Sequence, residues 1–233
     1  MKKKLLYFIL FAPTLLIAQL PKSMIVENKR SYFFEEYEGS PYLKDKYVAY
    51  DVINEKIGTF TGKLKYNIDL DAFEYKDGSK FYQIIKEAEI HIRNEDHFFY
   101  YCHFVSPRGS KREGYYVLLE LHDQYRMYKR YTLDITEPEK SSGSTYGVEP
   151  GEIKQICTYY LEENGVIAEL SQNEKDILEL FSDKRIELAA YLKKEKLRLK
   201  KEEDLVRFIA KYNALKQSDN TTNKSLISKR QEE

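Results

Sequence analysis

The chain has no net charge and no cysteine near its N-terminus. It also has no apolar run as long as a membrane span, either at its start or later. Its 38 basic residues balance 38 acidic ones, which argues against a large electrostatic surface for nucleic acid. Without a later apolar run, we expect no transmembrane span in the rest of the chain. Without a nearby cysteine, lipid attachment at an N-terminal cleavage site is not chemically available.

The first 18 residues have the order of a secretory signal peptide. Residues 2–4 are all lysine, residues 5–17 form an apolar run, and the small residue Ala18 follows. This run is shorter than the roughly 20 residues that a membrane span needs, so cleavage after Ala18 is expected rather than a retained anchor. The sequence therefore predicts an exported protein, in the periplasm or secreted, with its mature chain starting at Gln19.

Residues 19–170 are predicted to form a β-rich domain. Residues 58–70 alternate between polar and apolar positions, which is typical of an antiparallel strand with one wet face. Asp77-Gly78 and Asn164-Gly165 are strong hairpin signals. Together with 21 tyrosines and 12 phenylalanines, these hairpins predict an antiparallel meander of seven to nine strands, as a curved sheet or an open barrel.

The pattern changes to helical spacing at Ser171. Ser171 and Glu174 form a capping box, with Ser171 as the expected N-cap. Two or three helices are predicted in the segment 171–216, one of them over 183–196 and one over 202–215. The tail 217–233 is polar and lacks aromatic residues, which predicts disorder. Strands followed by helices make an α+β protein.

Cys102 and His103 adjoin each other in the aromatic stretch FFYYCHF, which raises the question of a catalytic thiol–imidazole pair. This stretch is predicted to be a strand, in which neighbouring side chains point to opposite faces. A nucleophile and its base must lie within hydrogen-bonding distance, so these two residues cannot serve as such a pair.

A disulfide between Cys102 and Cys157 is the other hypothesis for the two cysteines. Both lie in predicted strands, and an exported protein meets an oxidising environment. Closing this loop would stabilise the fold by roughly 4 kcal/mol on the chain-entropy model. Two buried free thiols are the alternative, and the sequence does not decide between them.

The remaining chemistry-bearing residues fit simple structural interpretations. His91, His97 and His103 lack the tight spacing of zinc ligands, so no metal site and no cofactor are predicted. The stretch 143–147, GSTYG, has the outline of a nucleophile elbow but lies in a predicted loop without the strand–turn–helix context. Arg108 and nearby Lys111 and Arg112 could form a patch for anions, although a solvated hairpin turn also explains them.

Tyrosines are the one feature with binding potential. An exposed aromatic face could bind a glycan, a peptide or a partner protein, whereas cross-strand aromatic pairs would only stabilise the sheet. The tyrosines on strands expected to lie close together are Tyr100, Tyr101, Tyr115, Tyr116, Tyr125, Tyr128, Tyr131, Tyr159 and Tyr160.

Three segments resemble a family of uncharacterised exported proteins from Bacteroidetes-type bacteria. They are the signal ending IAQ, the GSPYL segment followed by YDVINEKIGTFTGKLKYNIDLDAFEY, and YYLEENGVIAELSQNEKDILELFSDKRIEL with a closing KYNAL. The resemblance spans most of the mature chain. It implies an envelope or secreted protein with a β-rich body and C-terminal helices, and it carries over no activity, cofactor or functional residue.

Because no catalytic motif is present, the sequence favours a non-enzymatic, exported interaction protein of the cell envelope, with an envelope protein or a glycan or peptide ligand as its partner. The alternative is a periplasmic small-molecule carrier or hydrolase with a pocket inside an open barrel. Polar side chains converging in a cavity would favour the second class, and a fully packed interior would favour the first.

Overall fold

The computed structural model describes residues 20–28, 34, 36–122, 125–140 and 148–218. The predicted signal peptide 1–18, the motif 143–147 and all but the first two residues of the tail 217–233 lie outside these residues. Strands precede helices along the described chain, so the predicted α+β layout is confirmed.

Fourteen strands and three α-helices are present in the described residues. The first seven strands are Ile25–Glu27 (β1), Tyr37–Gly39 (β2), Val48–Asn54 (β3), Gly58–Asn67 (β4), Ala72–Asp77 (β5), Lys80–Ile84 (β6) and Ile90–Arg93 (β7). The next seven are Phe98–Val105 (β8), Lys111–Glu120 (β9), Arg126–Thr136 (β10), Glu139–Lys140 (β11), Val148–Glu149 (β12), Gly151–Glu163 (β13) and Val166–Glu169 (β14). The helices are Glu174–Leu180 (α1), Arg185–Glu195 (α2) and Glu202–Ser218 (α3).

Twelve of the strands form one mixed sheet, which corrects the predicted fold in two respects. The number of strands exceeds the predicted seven to nine, because strands of three or four residues such as β1, β2, β7 and β14 are too short to show an alternating pattern. The sheet is also not purely antiparallel, since β2 pairs with β13 and β14 pairs with β8 in parallel. The sheet as a whole is not a clear barrel.

Five strands nevertheless pair in a closed cycle, which we call the strand ring. β8 pairs with β9, β9 with β10, β10 with β13, β13 with β14, and β14 returns to β8 at Val166 and Val105. The first part of the chain joins this ring through β7, which pairs with β8. The strand ring therefore pairs with the N-terminal strands through β7, and the helices pack against its strands β10 and β13.

Both predicted hairpins are present, and the turn of the first lies one residue later than Asp77-Gly78, at Gly78-Ser79. Asp77 pairs with Lys80 across a two-residue turn in which Gly78 has a φ of 58°. At the second hairpin, Asn164 and Gly165 have φ angles of 52° and 83°. Only the second hairpin meets the requirement of a type I′ turn, positive φ at both central positions, which suits the right-handed twist of the strands it joins.

Alternation along the ring strands separates the buried side chains into three cores. The ring core lies on the inner face and consists of the buried Tyr116, Tyr128 and Ile167, with the partly buried Cys102, Phe104, Leu118 and Tyr160 packed against them. On the outer face, Phe99, Tyr101, Tyr115 and Val117 belong to the sheet core, which the N-terminal strands complete. Met127 and Leu161 belong to the helix core, which the three helices complete.

The first helix begins two residues later than the predicted capping box implies. Asn173 is the N-cap of α1, and its side chain accepts hydrogen bonds from the backbone N–H groups of Lys175 and Asp176. Ser171 instead accepts a hydrogen bond from the backbone of Asn173 at 3.1 Å. Asparagine and serine are equally good caps, so the sequence alone does not choose between two caps this close together.

Consecutive residues of β10 tie the ring to distant segments on both sides. Arg130 donates to Asp71, in the β4–β5 turn, with an Nη2–Oδ2 distance of 3.1 Å. Lys129 points the other way and donates to both oxygens of Glu202 at 2.8 Å, which fixes the start of α3. Gly114 on the neighbouring strand provides the space for the first pair, because a Cβ there would clash with both Asp71 Oδ2 and Arg130 Nη2.

Candidate binding site: the arginine cleft

The nine tyrosines singled out from the sequence do not form a fully exposed aromatic face. Of the nine tyrosines singled out from the sequence, Tyr101, Tyr115, Tyr116, Tyr125 and Tyr128 are buried, and the other four are partly buried. Eight of them lie against another aromatic ring, such as Tyr116 against Tyr160 with ring centroids 5.7 Å apart, and Tyr159 donates a hydrogen bond to Glu202 at 3.1 Å. Packing and hydrogen bonding within the fold therefore explain these residues.

The two arginines of the predicted anion patch lie in and next to the turn between β8 and β9, Arg108 in the turn and Arg112 at the start of β9. Ser106 and Ser110 close this turn with a backbone hydrogen bond of 2.8 Å, and Ser106 Oγ accepts the N–H of Ser110 at 3.0 Å. Gly109 supplies the positive φ of 79° that the tight turn requires. The backbone that carries Arg108 is therefore held by several hydrogen bonds.

Strand alternation separates Arg112 from its neighbour Lys111. Arg112 is the cross-strand partner of Phe104, whose side chain lies in the ring core, so Arg112 starts from the inner face of the ring. Lys111 pairs with Val105 and points to the opposite face. The predicted patch of three cations is therefore divided, with two arginines on one side and the lysine on the other.

These arginines line a cleft of about 690 Å³ between the β8–β9 turn and the β13–β14 hairpin. We call it the arginine cleft, and its lining residues are Ser106, Pro107, Arg108, Ser110, Arg112, Tyr160, Ile167, Ala168 and Glu169. Tyr160 and Ile167 also belong to the ring core, so the cleft opens onto the packed interior of the ring.

The charges in the arginine cleft are not neutralised by close partners. Neither Arg108 nor Arg112 forms an ion pair or hydrogen bond within the described part of the chain, and both are exposed. Glu169 is the one carboxylate in the lining, and it faces the same cleft. Burial raises the pKa of Tyr160, with contributions from Tyr116 and Glu169, so this phenol stays protonated at neutral pH. The cleft thus offers two unpaired guanidinium groups beside a neutral aromatic ring.

A second cleft, of about 530 Å³, differs because both of its cations are paired with carboxylates. Lys44 lies 2.7 Å from Asp96, and Arg93 lies 3.0 Å from Asp51, across the cleft formed by β3, β4 and the turn after β7. Paired surface charges gain little from an added ion. The arginine cleft is therefore the stronger candidate for binding a charged ligand.

The three histidines considered for a metal site point to different partners. His91 Nε2 lies 2.8 Å from Glu55, His97 Nε2 lies 2.8 Å from the Tyr131 hydroxyl, and His103 lies 3.7 Å from Glu113. In the described residues, no group of three or more histidine, cysteine, aspartate or glutamate side chains could hold a metal ion.

The two cysteines considered for a disulfide are free thiols on opposite sides of the ring wall. Cys102 lies in the ring core, where burial and then the charge of Glu162 raise its pKa to about 12. Cys157 is exposed on the outer face, beside Lys129 and Tyr159, so the alternative of two buried thiols is wrong for this residue. Because the opposite faces of a sheet point away from each other, the two sulfur atoms cannot meet without a rearrangement.

Sequence reasoning missed two residues of the arginine cleft. The sequence indicates Tyr160 only as one of many sheet tyrosines, and no local pattern marks Glu169. The signal that could have found them is the hairpin at Asn164-Gly165, because it places Tyr160 directly opposite Glu169. Their approach to the β8–β9 turn depends on the parallel pairing of β14 with β8, and no pattern in the sequence predicts this pairing.

Comparisons of the chain with protein-family models, with curated proteins and with solved structures found no match. In the helices that the structure describes, none is both long and apolar enough to cross a membrane.

Proposed function

We propose that this protein is an exported, non-enzymatic binding protein of the cell envelope, and that it holds its partner or ligand in the arginine cleft. The observation that carries the proposal is the pair of guanidinium groups of Arg108 and Arg112, which have no partner in the described residues and line a cleft of about 690 Å³. Ligand sites of roughly 300–1,000 Å³ with a few converging polar groups are typical of proteins.

The chemistry of the lining supports binding rather than catalysis. Among the described residues of the arginine cleft, Glu169 is the one carboxylate, and histidine and cysteine are absent. General acid–base catalysis usually needs two groups that exchange protons near neutral pH, and nucleophilic catalysis needs a base beside the nucleophile. Arginine does not lose its proton in proteins, so Arg108 and Arg112 are suited to holding an anion.

The packing of the ring supports the same proposal. Its inner face is filled by the ring core, including the buried side chains of Tyr116, Tyr128 and Ile167. A ligand would therefore rest on this packed floor at the cleft and would not enter the ring. The signal-peptide pattern in residues 1–18 supports export, and the resemblance to exported proteins of Bacteroidetes-type bacteria agrees with it.

The test is capture from the native envelope fraction with the tagged mature chain after mild crosslinking. Three forms are compared: the wild type, Arg112→Gln, and Lys111→Gln as a matched control from the opposite face of the same strand. We expect a reproducible partner, or a small molecule released on denaturation, that is retained by the wild type and by Lys111→Gln and is lost with Arg112→Gln.

Equal capture by all three forms would reject the arginine cleft as the binding site. Cell fractionation of the same strain tests the export part of the proposal separately. Recovery of a full-length chain, with its N-terminal lysines, from the cytoplasm would contradict it.

A further inference from the structure

Resting on the proposed function, we propose that the arginine cleft binds a carboxylated sugar, a uronic acid in chemical terms. The guanidinium groups of Arg108 and Arg112 would hold the carboxylate, and Glu169 and the serines of the turn would accept hydrogen bonds from the sugar hydroxyl groups. Four features of the cleft lead to this ligand.

The charge balance of the lining favours a single negative charge. Two arginines and one glutamate give the cleft a formal net charge of +1, which a carboxylate neutralises. A phosphate carries up to two charges, so Glu169 would repel it more strongly than it repels a singly charged carboxylate. The planar guanidinium group also matches a carboxylate with two parallel hydrogen bonds.

Glu169 indicates that the ligand also carries hydrogen-bond donors. Its side chain has no ion pair or hydrogen bond within the described residues, and an ionised carboxylate can only accept. Ser106 Oγ already accepts the N–H of Ser110 and still has a hydroxyl hydrogen and a lone pair to offer. A ligand with several hydroxyl groups beside its carboxylate satisfies these side chains, whereas a simple fatty acid would not.

The floor of the cleft suits the less polar face of a sugar ring. Tyr160 is partly buried and presents an aromatic ring, and Ile167 and Ala168 lie beside it in the lining. Aromatic side chains provide a large apolar area that keeps a polar tip, which fits ligands that are apolar on one face and polar at the edge.

The size of the cleft is the fourth feature. Its volume of about 690 Å³ is larger than one sugar requires and leaves room for a second unit. The carboxylated sugar could therefore be a free monosaccharide or one residue of an acidic polysaccharide, and the chemistry at the arginines is the same in both cases.

Isothermal titration calorimetry with the full mature chain tests the proposal. The probes are D-glucuronate, D-glucose as its neutral counterpart, inorganic phosphate, and a trisaccharide of uronic acids. We expect glucuronate to bind at least about tenfold more tightly than glucose or phosphate. Tighter binding of the trisaccharide would identify a polysaccharide as the source, and equal binding would identify a free sugar.

Matched variants tie the binding to the cleft. Arg112→Gln should weaken glucuronate binding by about tenfold or more, and Lys111→Gln should leave it unchanged. Glu169→Gln should improve phosphate binding relative to glucuronate binding, because glutamine keeps one acceptor oxygen but removes the charge that repels a dianion more than a monoanion. These side chains are exposed, so the variants should fold like the wild type, which circular dichroism would verify.

Equal affinity for glucuronate and glucose, or equal losses in Arg112→Gln and Lys111→Gln, would overturn the proposal. Failure of the uronic-acid proposal can be told apart from failure of the proposed function. If envelope capture depends on Arg112 but glucuronate does not bind, the ligand chemistry is wrong while the arginine cleft stands as a binding site. If capture does not depend on Arg112, the proposed function fails first.

Discussion

The inner and outer faces of the strand ring pair their buried charges with different parts of the chain. Arg130 and Lys129 are consecutive residues of β10 and point to opposite faces. Arg130 pairs with Asp71 from the N-terminal strands, 59 positions away in the chain, and Lys129 pairs with Glu202 from α3, 73 positions away. The alternation of one strand thus connects the ring to two distant segments.

The two pairs differ in how completely their carboxylates are bonded. Asp71 accepts from Arg130, from the Tyr66 hydroxyl at 2.6 Å and from the Tyr115 N–H at 3.1 Å, and its side chain is 18% exposed. Glu202 accepts from Lys129 and from the Tyr159 hydroxyl at 3.1 Å, and its side chain is 35% exposed. Removing Asp71 takes an acceptor from three groups, namely Arg130, the Tyr66 hydroxyl and the Tyr115 N–H, whereas removing Glu202 takes one from two groups. The inner pair should therefore be the more costly to break.

The largest effect is expected from Asp71→Ala, which removes the acceptor of the inner network. The change leaves the Arg130 guanidinium partly buried without its carboxylate and removes an acceptor from Tyr66 and Tyr115. We expect a loss of about 3 kcal/mol in the free energy of unfolding, measured by urea denaturation. Asp69→Ala, at an exposed position two residues earlier, should cost less than about 0.5 kcal/mol, and equal losses would contradict the role of the network.

A smaller loss is expected from Glu202→Gln on the outer face. Glutamine keeps the shape but removes the charge that pairs with Lys129. Burial by itself lowers the pKa of Lys129, yet the hydrogen bond to Glu202 and nearby groups outweigh it and raise the pKa. We expect a loss of about 1–2 kcal/mol.

The matched control for that variant is Glu203→Gln, at an exposed neighbouring position of α3. It should change the free energy of unfolding by less than about 0.5 kcal/mol. A loss in Glu202→Gln as large as in Asp71→Ala would remove the proposed difference between the two faces.

A third effect, on the pH dependence of stability, concerns His97 on the outer face. Burial, then the charge of Lys129, lowers its pKa from 6.5 to about 4. The folded protein therefore binds fewer protons than the unfolded chain between these values. The resulting stability is fully present above about pH 6.5 and is lost as the pH falls toward about 4.

Urea denaturation at pH 7 and pH 5 measures this effect in the wild type and in His97→Gln. The wild type should lose about 1 kcal/mol more than the variant, less than the full pKa shift implies because His97 is only half-buried. His103→Gln, at an exposed position of β8, should behave like the wild type. A wild type and a His97→Gln variant with the same pH dependence would exclude His97 as its source.

The smallest effect is expected on oxidation of the two cysteines, which lie on different faces of the ring wall. The free energies of unfolding of the reduced and mildly oxidised proteins should agree within about 0.5 kcal/mol. A disulfide closing this loop would instead add roughly 4 kcal/mol. Thiol labelling of the folded protein should modify Cys157 and leave Cys102 protected, and equal labelling would show that the ring core opens.

The elements that local patterns encode could be predicted from the sequence. The alternation of β4, the turns at Gly78 and Gly165, and the helical spacing of α3 are all properties of neighbouring residues. The arginines of the cleft were also visible, because Arg108 and Arg112 flank an evident turn. Short strands such as β2 were missed, because three residues do not define a period.

By itself, the sequence determined the order of strands before helices, the main hairpins and the opposite directions of neighbouring side chains such as Lys129 and Arg130. These features depend on contacts between residues close together in the chain, where local propensity and the two-residue period of a strand act directly. Only the tertiary structure decided which strands close the ring, that Asp71 meets Arg130, and that Tyr160 and Glu169 face the β8–β9 turn. Those contacts join residues tens of positions apart. They form because this arrangement of the chain buries the apolar side chains of all three cores.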